Sequence, residues 1–284
     1  MNKFSILLIA SLCLIALQRS SEVNLSRIIP HPIGVNVHFL APAQGEMEML
    51  KNMSVTYIRM DFIWAEVERS KGQYNFQNYD IFMSNCFKYG LIPYMIFDYT
   101  NEFYDQNLSP YTDEGREGFA NFALAAVTRY KGKNVIWEIY NEPNLNQFWK
   151  PAKNVTNYCK LAHKVLDTIK TRYPGEIVVG PASSGIDMTF LEEVFKSGLL
   201  EKFDAISVHP YGNTPPEEAA HKYDELRKLM KQYGTAKDIL SGEWGFHTVK
   251  HSEKEQAEFI SRQWATNTMK DIPISIWYDF HDGS

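Results

Sequence analysis

Eight short runs of apolar and β-branched residues alternate with helical patterns from one end of the chain to the other. The runs occupy residues 33–39, 55–60, 91–98, 135–141, 176–180, 205–208, 239–243 and 274–278. Strands that are separated by helices pair in parallel, and eight such units are the number that closes a barrel. The sequence therefore predicts an α/β fold, a single-domain (β/α)8 barrel of the TIM type.

The helical patterns between these runs carry their own start signals. Thr112 precedes a helix with an apolar stripe at the spacing of one buried face, and a threonine there can cap the first turn. Two capping boxes, in which a Ser or Thr is followed three residues later by Glu, begin at Thr214 and Ser252. Only six residues follow the eighth run, so we expect a barrel that lacks its last helix.

The first residues have the pattern of an export signal. Lys3 is followed by an apolar run over residues 4–17 and by small polar residues at 20–21. This order is typical of a secretory signal peptide, and the run is shorter than the roughly 20 apolar residues of a transmembrane helix. We predict a signal peptide at residues 1–21, a mature domain at 22–284 and a secreted, extracellular protein without stable membrane insertion. An uncleaved membrane anchor is the alternative.

Charge and cysteine content narrow the class of protein further. Loss of Lys3 and Arg19 with the signal leaves 27 basic and 34 acidic residues, a formal net charge of −7. An acidic chain is not attracted to nucleic acid, so we expect no nucleic-acid partner. As a separate expectation, the protein is a monomer. Cys86 and Cys159 lie on helical patterns of different β/α units, so we expect two buried free thiols and no disulfide.

Two short peptides each place a glutamate where a predicted strand ends. Asn141-Glu142-Pro143 follows the fourth run, and Glu243 lies in a Ser-Gly-Glu-Trp-Gly segment that closes the seventh. In a parallel barrel the carboxyl ends of the strands form the active face. Hydrolysis of a glycosidic bond needs one carboxyl group that donates a proton and a second that attacks the sugar. The two peptides therefore predict a glycosidase site.

We assign a role to each glutamate and to the neighbouring Asn141. We predict that Glu142 is the general acid/base, that Glu243 is the nucleophile, and that Asn141 binds the sugar 2-hydroxyl. Taken alone, Asn-Glu-Pro is only a helix start with an acidic first turn. The second glutamate, matched to it at another strand end, favours the catalytic interpretation.

Three further polar residues lie near strand ends. Arg59 stands in an apolar strand, where a charge is costly without a carboxylate partner, so we expect it to lower the pKa of Glu243. A structural ion pair with Asp61 or Glu66 is the alternative. After the sixth strand, Tyr211 can donate its hydroxyl to Glu243, and His209 can bind the sugar or orient a carboxylate.

Aromatic side chains near the strand ends are candidate walls of a sugar cleft. Trp277, at the end of the eighth strand, offers a flat apolar face for a sugar ring, with core packing as the alternative. Trp64 and Tyr99 are further candidates for substrate binding. Other residues in similar positions are His38, Asp98 and Trp149.

The motifs together resemble glycoside hydrolase clan A, and within it the family 39-like and family 5-like (cellulase-type) enzymes, including bacterial exopolysaccharide endoglycosidases. The segments that carry the resemblance are 57–61, 137–144, 179–182, 208–211 and 242–245. The likeness extends over residues 33–283. One departure concerns the substrate: a histidine common near the end of the third strand in the clan is replaced here by Asp98-Tyr99.

The resemblance implies a retaining (β/α)8 enzyme in which Glu142 is the proton donor and Glu243 the nucleophile. It also implies that Asn141 contacts the 2-hydroxyl, that Arg59 and Tyr211 are partners of the nucleophile, and that Trp277 forms the floor of the sugar site. We expect a metal-independent β-glycosidase without a cofactor, endo-acting on a β-linked polysaccharide. The alternatives are an exo-acting β-xylosidase or β-glucosidase, and a carbohydrate-binding protein without catalysis.

Overall fold

The computed structural model of the protein describes residues 33–212 and 215–281. The predicted signal peptide, at residues 1–21, and the predicted cap at Thr214 lie outside these residues. None of the helices in the described ranges is long and apolar enough to cross a lipid bilayer.

Eight parallel strands form a closed barrel in which each strand pairs with its neighbours in the chain and β8 pairs with β1. The strands are β1 (Ile33–Asn36), β2 (Tyr57–Ile63), β3 (Ile92–Asp98), β4 (Ile136–Ile139), β5 (Ile177–Ser184), β6 (Ile206–His209), β7 (Ile239–Trp244) and β8 (Ser275–Trp277). Each strand overlaps one predicted run, so the predicted fold class is confirmed.

Nine α-helices lie between the strands in the described residues. They are α1 (Glu46–Asn52), α2 (Trp64–Val67), α3 (Gln77–Tyr89), α4 (Asp113–Tyr130), α5 (Val155–Arg172), α6 (Met188–Lys196), α7 (Leu199–Lys202), α8 (Ala219–Tyr233) and α9 (Glu253–Met269). Short 3-10 turns occupy Asp105–Asn107 and Pro216–Glu218. Between β8 and residue 281 the described chain contains no further helix.

Two predicted helix starts are formed as the sequence indicates. The Thr112 side chain accepts a hydrogen bond from the Gly115 N–H, and Ser252 forms a complete capping box with Glu255. These contacts satisfy N–H groups that have no partner within the helix. Cys86 and Cys159 are both buried free thiols, as predicted.

The barrel interior is polar toward the carboxyl ends of the strands, the upper part, and apolar below, the lower part. Side chains from every second strand position fill the lower part with one cluster, formed by Tyr57, Tyr94, Ile136, Val179, Ala205, Leu240, Ile274 and Ile276. Because side chains alternate between the two faces of a strand, the next inward-facing residue lies two positions further along, nearer the carboxyl end. Those positions carry Arg59, Glu138, Ser207 and His209, all of them buried. The polar set surrounds the mouth at which the predicted site lies.

Candidate active site

The two predicted catalytic glutamates meet at the mouth of the barrel. Glu142 follows β4 and Glu243 lies in β7, and one carboxylate oxygen from each lies within 4.8 Å of the other. Retaining glycosidases hold their two carboxyl groups about 5–5.5 Å apart, because the second group bonds to the sugar directly. Glu142 is buried, and 13% of the Glu243 side chain is exposed. The arrangement has the spacing that double displacement requires.

The backbone turns sharply between β4 and Glu142. Tyr140 and Glu142 both adopt a left-handed conformation, with φ of 67° and 44°. Such values cost a non-glycine residue about 1–2 kcal/mol and persist only when neighbouring structure holds them. Here the Glu142 N–H donates to the Ala182 carbonyl of β5 at 3.0 Å. The neighbouring strand therefore helps to hold Glu142 in place.

Arg59 joins the polar residues of the mouth into one network. Its guanidinium donates to Glu243 Oε2 at 2.6 Å and contacts Glu138 Oε2 at 2.7 and 3.0 Å. It also donates to the side-chain oxygens of Asn36 and Asn141 at 3.2 and 3.1 Å. Its ion pairs are with Glu138 and Glu243, not with Asp61 or Glu66, so the alternative ion pairs considered from the sequence are not formed.

Glu138 is a residue of the network that sequence reasoning missed. It is fully buried in β4, where it receives Arg59 on one oxygen and the Tyr94 hydroxyl on the other at 2.7 Å. A charge in the middle of an apolar strand requires a partner, so the position of Glu138 in the sequence is a signal of the same kind as that of Arg59. Gly242 makes room for the pair, because a Cβ at that position would lie 2.4 Å from Ser207 Oγ and 3.3 Å from Glu138 Oε1.

His209 connects Arg59 with Glu142. Arg59 Nη2 lies 3.2 Å from His209 Nε2, and His209 Nδ1 lies 2.9 Å from Glu142 Oε1. Because a guanidinium only donates hydrogen bonds, Nε2 must accept and the ring proton belongs on Nδ1, from which it is donated to Glu142. The ring is fully buried. Of the two predicted roles, the geometry favours orientation of the carboxylate over contact with the sugar.

The environment of Glu243 favours its ionised form. Burial alone would raise its pKa, but electrostatic interactions with His209 and Arg59 lower it, as do hydrogen bonds from Tyr211 and Arg59. The Tyr211 hydroxyl donates to Glu243 Oε1 at 2.8 Å. The net effect is a pKa below that of an ordinary glutamate. The predicted contacts of Arg59 and Tyr211 with this residue are both present.

The aromatic candidates divide between the mouth and the core. Trp277 is 9% exposed at the end of β8, and Tyr99, half-buried after β3, stacks on Phe148. The predicted role of Trp64 in substrate binding is wrong, because its side chain is fully buried and stacks on Tyr104. Trp149 is buried in the same way against Tyr140, so it does not line a cleft either.

Tyr278 is a residue of the mouth that received no role from the sequence. It is 38% exposed and its ring contacts that of His38 edge-on, with centroids 5.5 Å apart. Burial of its inner part, together with the nearby Glu243, raises the pKa of its hydroxyl to about 12. Its position directly after Trp277 is the signal that could have identified it. An exposed ring there is available to a ligand.

One group of side chains in the described residues has the composition and spacing of a metal site. Glu142, His209 and Glu243 each offer a ligand atom within 4.8 Å of the others. The guanidinium of Arg59 already lies 2.6 Å from Glu243 Oε2, so a metal cation bound there would meet a positive charge. The three residues are better matched to carboxylate chemistry than to holding an ion.

Comparison with known proteins identifies the family. Over residues 25–280 the chain matches the family described as Cellulase (glycosyl hydrolase family 5). The chain belongs to that family. Membership confirms the predicted relationship to glycoside hydrolase clan A.

Three individual proteins that are similar to this chain share 27% sequence identity with it or less. A β-xylosidase of Geobacillus stearothermophilus is 27% identical over 207 residues, which make up 63% of this chain and 40% of the β-xylosidase. The structure of a family 39 glycoside hydrolase from Bacteroides cellulosilyticus WH2 has a TM-score of 0.77 at 25% identity, over 91% of this chain and 58% of that protein. A monomeric β-xylosidase from Caulobacter crescentus CB15 has a TM-score of 0.70 at 18% identity, over 88% and 60%. The chain thus spans less than two thirds of each of these relatives.

Proposed function

We propose that this member of the cellulase family is a retaining β-glycosidase that hydrolyses O-glycosidic bonds by double displacement. The observation that carries the proposal is the approach of Glu142 and Glu243 to within 4.8 Å, with Arg59 and Tyr211 bound to Glu243. These contacts favour the ionised form of Glu243, as a nucleophile requires.

We assign a role to each group in the two steps. In the first step Glu243 Oε attacks the anomeric carbon, the glycosidic bond breaks, and Glu142 gives its proton to the departing oxygen. In the second step Glu142 takes a proton from water, whose oxygen displaces Glu243 from the sugar. His209, bound to Glu142 Oε1 at 2.9 Å, holds that carboxyl group in position for both transfers.

For the substrate we propose a β-linked polysaccharide that is cut internally. The exposed Tyr278, which follows the buried Trp277 at the barrel mouth, supports contact with sugar rings beyond the cleaved one. The β-xylosidase relative favours a second candidate, exo-acting removal of single sugars. Product lengths decide between the two, because endo cleavage of a long chain yields a range of oligosaccharides from the start and exo cleavage yields one monosaccharide.

We also propose that the protein is exported as a monomer. The basic and apolar start of the chain supports export. The likeness to a monomeric β-xylosidase supports a single subunit. Two measurements on the protein from culture medium test these points. The mass of the chain should correspond to a start near residue 22, and sedimentation should show a single subunit.

Substitution of the acid/base provides the test of mechanism. Glu142→Gln should lower turnover of a natural oligosaccharide by about 10²- to 10⁴-fold, because the leaving sugar then departs without a proton. Formation of the glycosyl-enzyme from a dinitrophenyl glycoside should be affected far less, because that leaving group needs no proton. Glu225→Gln, on the outer helix α8, is the matched control and should change neither reaction. Equal losses on both substrates would contradict the assignment of Glu142.

The stereochemistry of the product tests the nucleophile independently. Proton NMR of the first-formed sugar should show the β anomer, because two successive displacements restore the starting configuration. An α anomer as first product would show that water, not Glu243, attacks the sugar. Calorimetric binding of oligosaccharides with no product from any β-glycan would favour the binding protein without catalysis.

A further inference from the structure

Two carboxyl side chains outside the catalytic contacts meet at the barrel mouth. Asp61 lies in β2, two residues after Arg59 on the inward face, and Asp98 ends β3. Asp98 is fully buried, and neither of its oxygens receives a hydrogen bond from a donor in the described part of the chain. The register of β2 and β3 pairs Asp61 with Ile96 and Ile63 with Asp98, so the two aspartates are diagonal neighbours on the same face of the sheet. The carboxyl group of Asp61 is therefore the group with which Asp98 can form a hydrogen bond.

A hydrogen bond between these two groups requires a proton, because an ionised carboxylate only accepts. Burial raises the pKa of Asp98 well above its usual range, and the negative charge of Asp61 raises it further. Burial also raises the pKa of Asp61, although Arg59 and His38 oppose the shift. The other charged or titratable groups that face the pair are Glu138, Glu243, Tyr79, Tyr99, Tyr140 and Tyr278. Two adjacent buried carboxylates would repel each other, and one proton shared between them removes that repulsion.

We propose that Asp61 and Asp98 form a one-proton carboxyl pair that binds a hydroxyl group of the neutral sugar held at Glu243. In this pair Asp98 keeps the proton and donates it to Asp61, and the ionised Asp61 accepts the sugar hydroxyl. The proposal rests on the proposed glycosidase function, whose substrate it describes. Asp98 is a positioning residue, since it acts through Asp61.

The position of Asp61 supports contact with a sugar. Its side chain is partly exposed at the mouth, whereas Asp98 behind it is sealed from solvent. Asp61 also lies near Glu243 and Tyr278. The charge of Glu243 raises the pKa of Asp61, and the charge of Asp61 raises the pKa of Tyr278. A carboxylate in such a place is matched by a hydroxyl donor, and a hydrogen bond to a charged group is one of the stronger kinds. A second anion, such as the carboxylate of a uronic acid, would be repelled.

The stability of the protein tests the proton without any substrate. A carboxyl group whose pKa is raised by folding stabilises the folded state at low pH, and this contribution is lost as pH rises above its unfolded value of about 3.9. The urea midpoint of the wild type should therefore fall relative to that of Asp98→Asn as the pH rises from 4 to 8. Asp167→Asn, on the outer surface, is the control. A difference between wild type and Asp98→Asn that is constant with pH would overturn the one-proton pair.

Kinetics with modified substrates test the contact. Asp61→Asn should lower kcat/KM by about 10- to 100-fold on an aryl β-glycoside, the effect of losing a hydrogen bond to a charged group. Among substrates that each lack one ring hydroxyl, one should show a similar loss with the wild type and almost no additional loss with Asp61→Asn. Additive losses for every deoxy substrate would overturn the contact.

The role of Asp98 is separated from a general effect on folding by comparing two variants. Asp98→Leu removes the donor and should lower kcat/KM about as much as Asp61→Asn does, whereas Asp98→Asn restores a donor and should recover most of the loss. Equal kcat/KM for the two variants would overturn the positioning role. If the wild type hydrolyses no β-glycoside, the proposed function fails, yet the pH dependence of the urea midpoint still decides whether the pair holds a proton.

Discussion

The lower and upper parts of the barrel interior are formed by the same strands and have opposite chemistry. Below, residues such as Ile136 and Leu240 fill the space with apolar side chains. Above, Arg59 and Glu138 are buried with their charges, and Glu243, paired with Arg59, is 13% exposed. Tyr94 belongs to both parts, because its ring packs in the apolar cluster and its hydroxyl donates to Glu138. Packing therefore stabilises the lower part, while the upper part depends on charges that compensate one another.

The largest expected effect separates activity from stability in the upper part. Glu243→Gln should reduce turnover by about 10⁴-fold or more, because the attacking group is lost. The free energy of unfolding should fall by only about 1–2 kcal/mol, since Arg59 keeps its contacts with Glu138. Steady-state kinetics and urea denaturation measure the two quantities. A well-folded variant with wild-type turnover would end the catalytic interpretation of the upper part.

A second variant tests how strongly the charges depend on one another. Glu138→Ala should lower the free energy of unfolding by about 3–5 kcal/mol, because a buried arginine then loses its main partner. Arg59→Met combined with Glu138→Leu removes both charges and should be less damaging than the single change. If the double variant is instead the less stable one, the charge pair contributes more than apolar packing in the same space would.

A substitution in the lower part of the barrel interior is expected to have a smaller effect on stability. Ile276→Val should cost about 0.5–1.5 kcal/mol of unfolding free energy, the effect of removing one buried methylene. The cost should be the same at pH 5 and at pH 8, because no titratable group is involved. A loss that varies with pH would show that the two parts of the interior are coupled.

The smallest expected effect concerns the acid limb of activity. Folding lowers the pKa of Glu243, so the nucleophile stays ionised, and its contribution to stability persists, until the pH falls through the folded value. The acid limb of kcat/KM assigned to this residue should therefore lie below about 4.3, the pKa of an ordinary glutamate. In Arg59→Met the guanidinium charge that lowers this pKa is absent, and the limb should move to higher pH.

Several features of the site follow from local patterns and others do not. The glutamates at the ends of β4 and β7 were predicted because a strand end in a parallel barrel has a known location. The burial of Trp64 was not, because an aromatic residue just after a strand can turn either to the mouth or to the helices. Its indole N–H donates to Glu68, a contact made within the surrounding shell of helices and loops.

The alternation of strands and helices, the free cysteines and the two glutamates were determined by the sequence alone, because each depends on periodicity or on position along one element. Only the tertiary structure decided that Glu138 joins Arg59, that Glu142 adopts a left-handed backbone beside Ala182, and that Asp61 meets Asp98. The physical reason is that these contacts join different strands of the barrel, where register and burial choose the partner. Charge compensation in a closed interior is a property of the whole barrel.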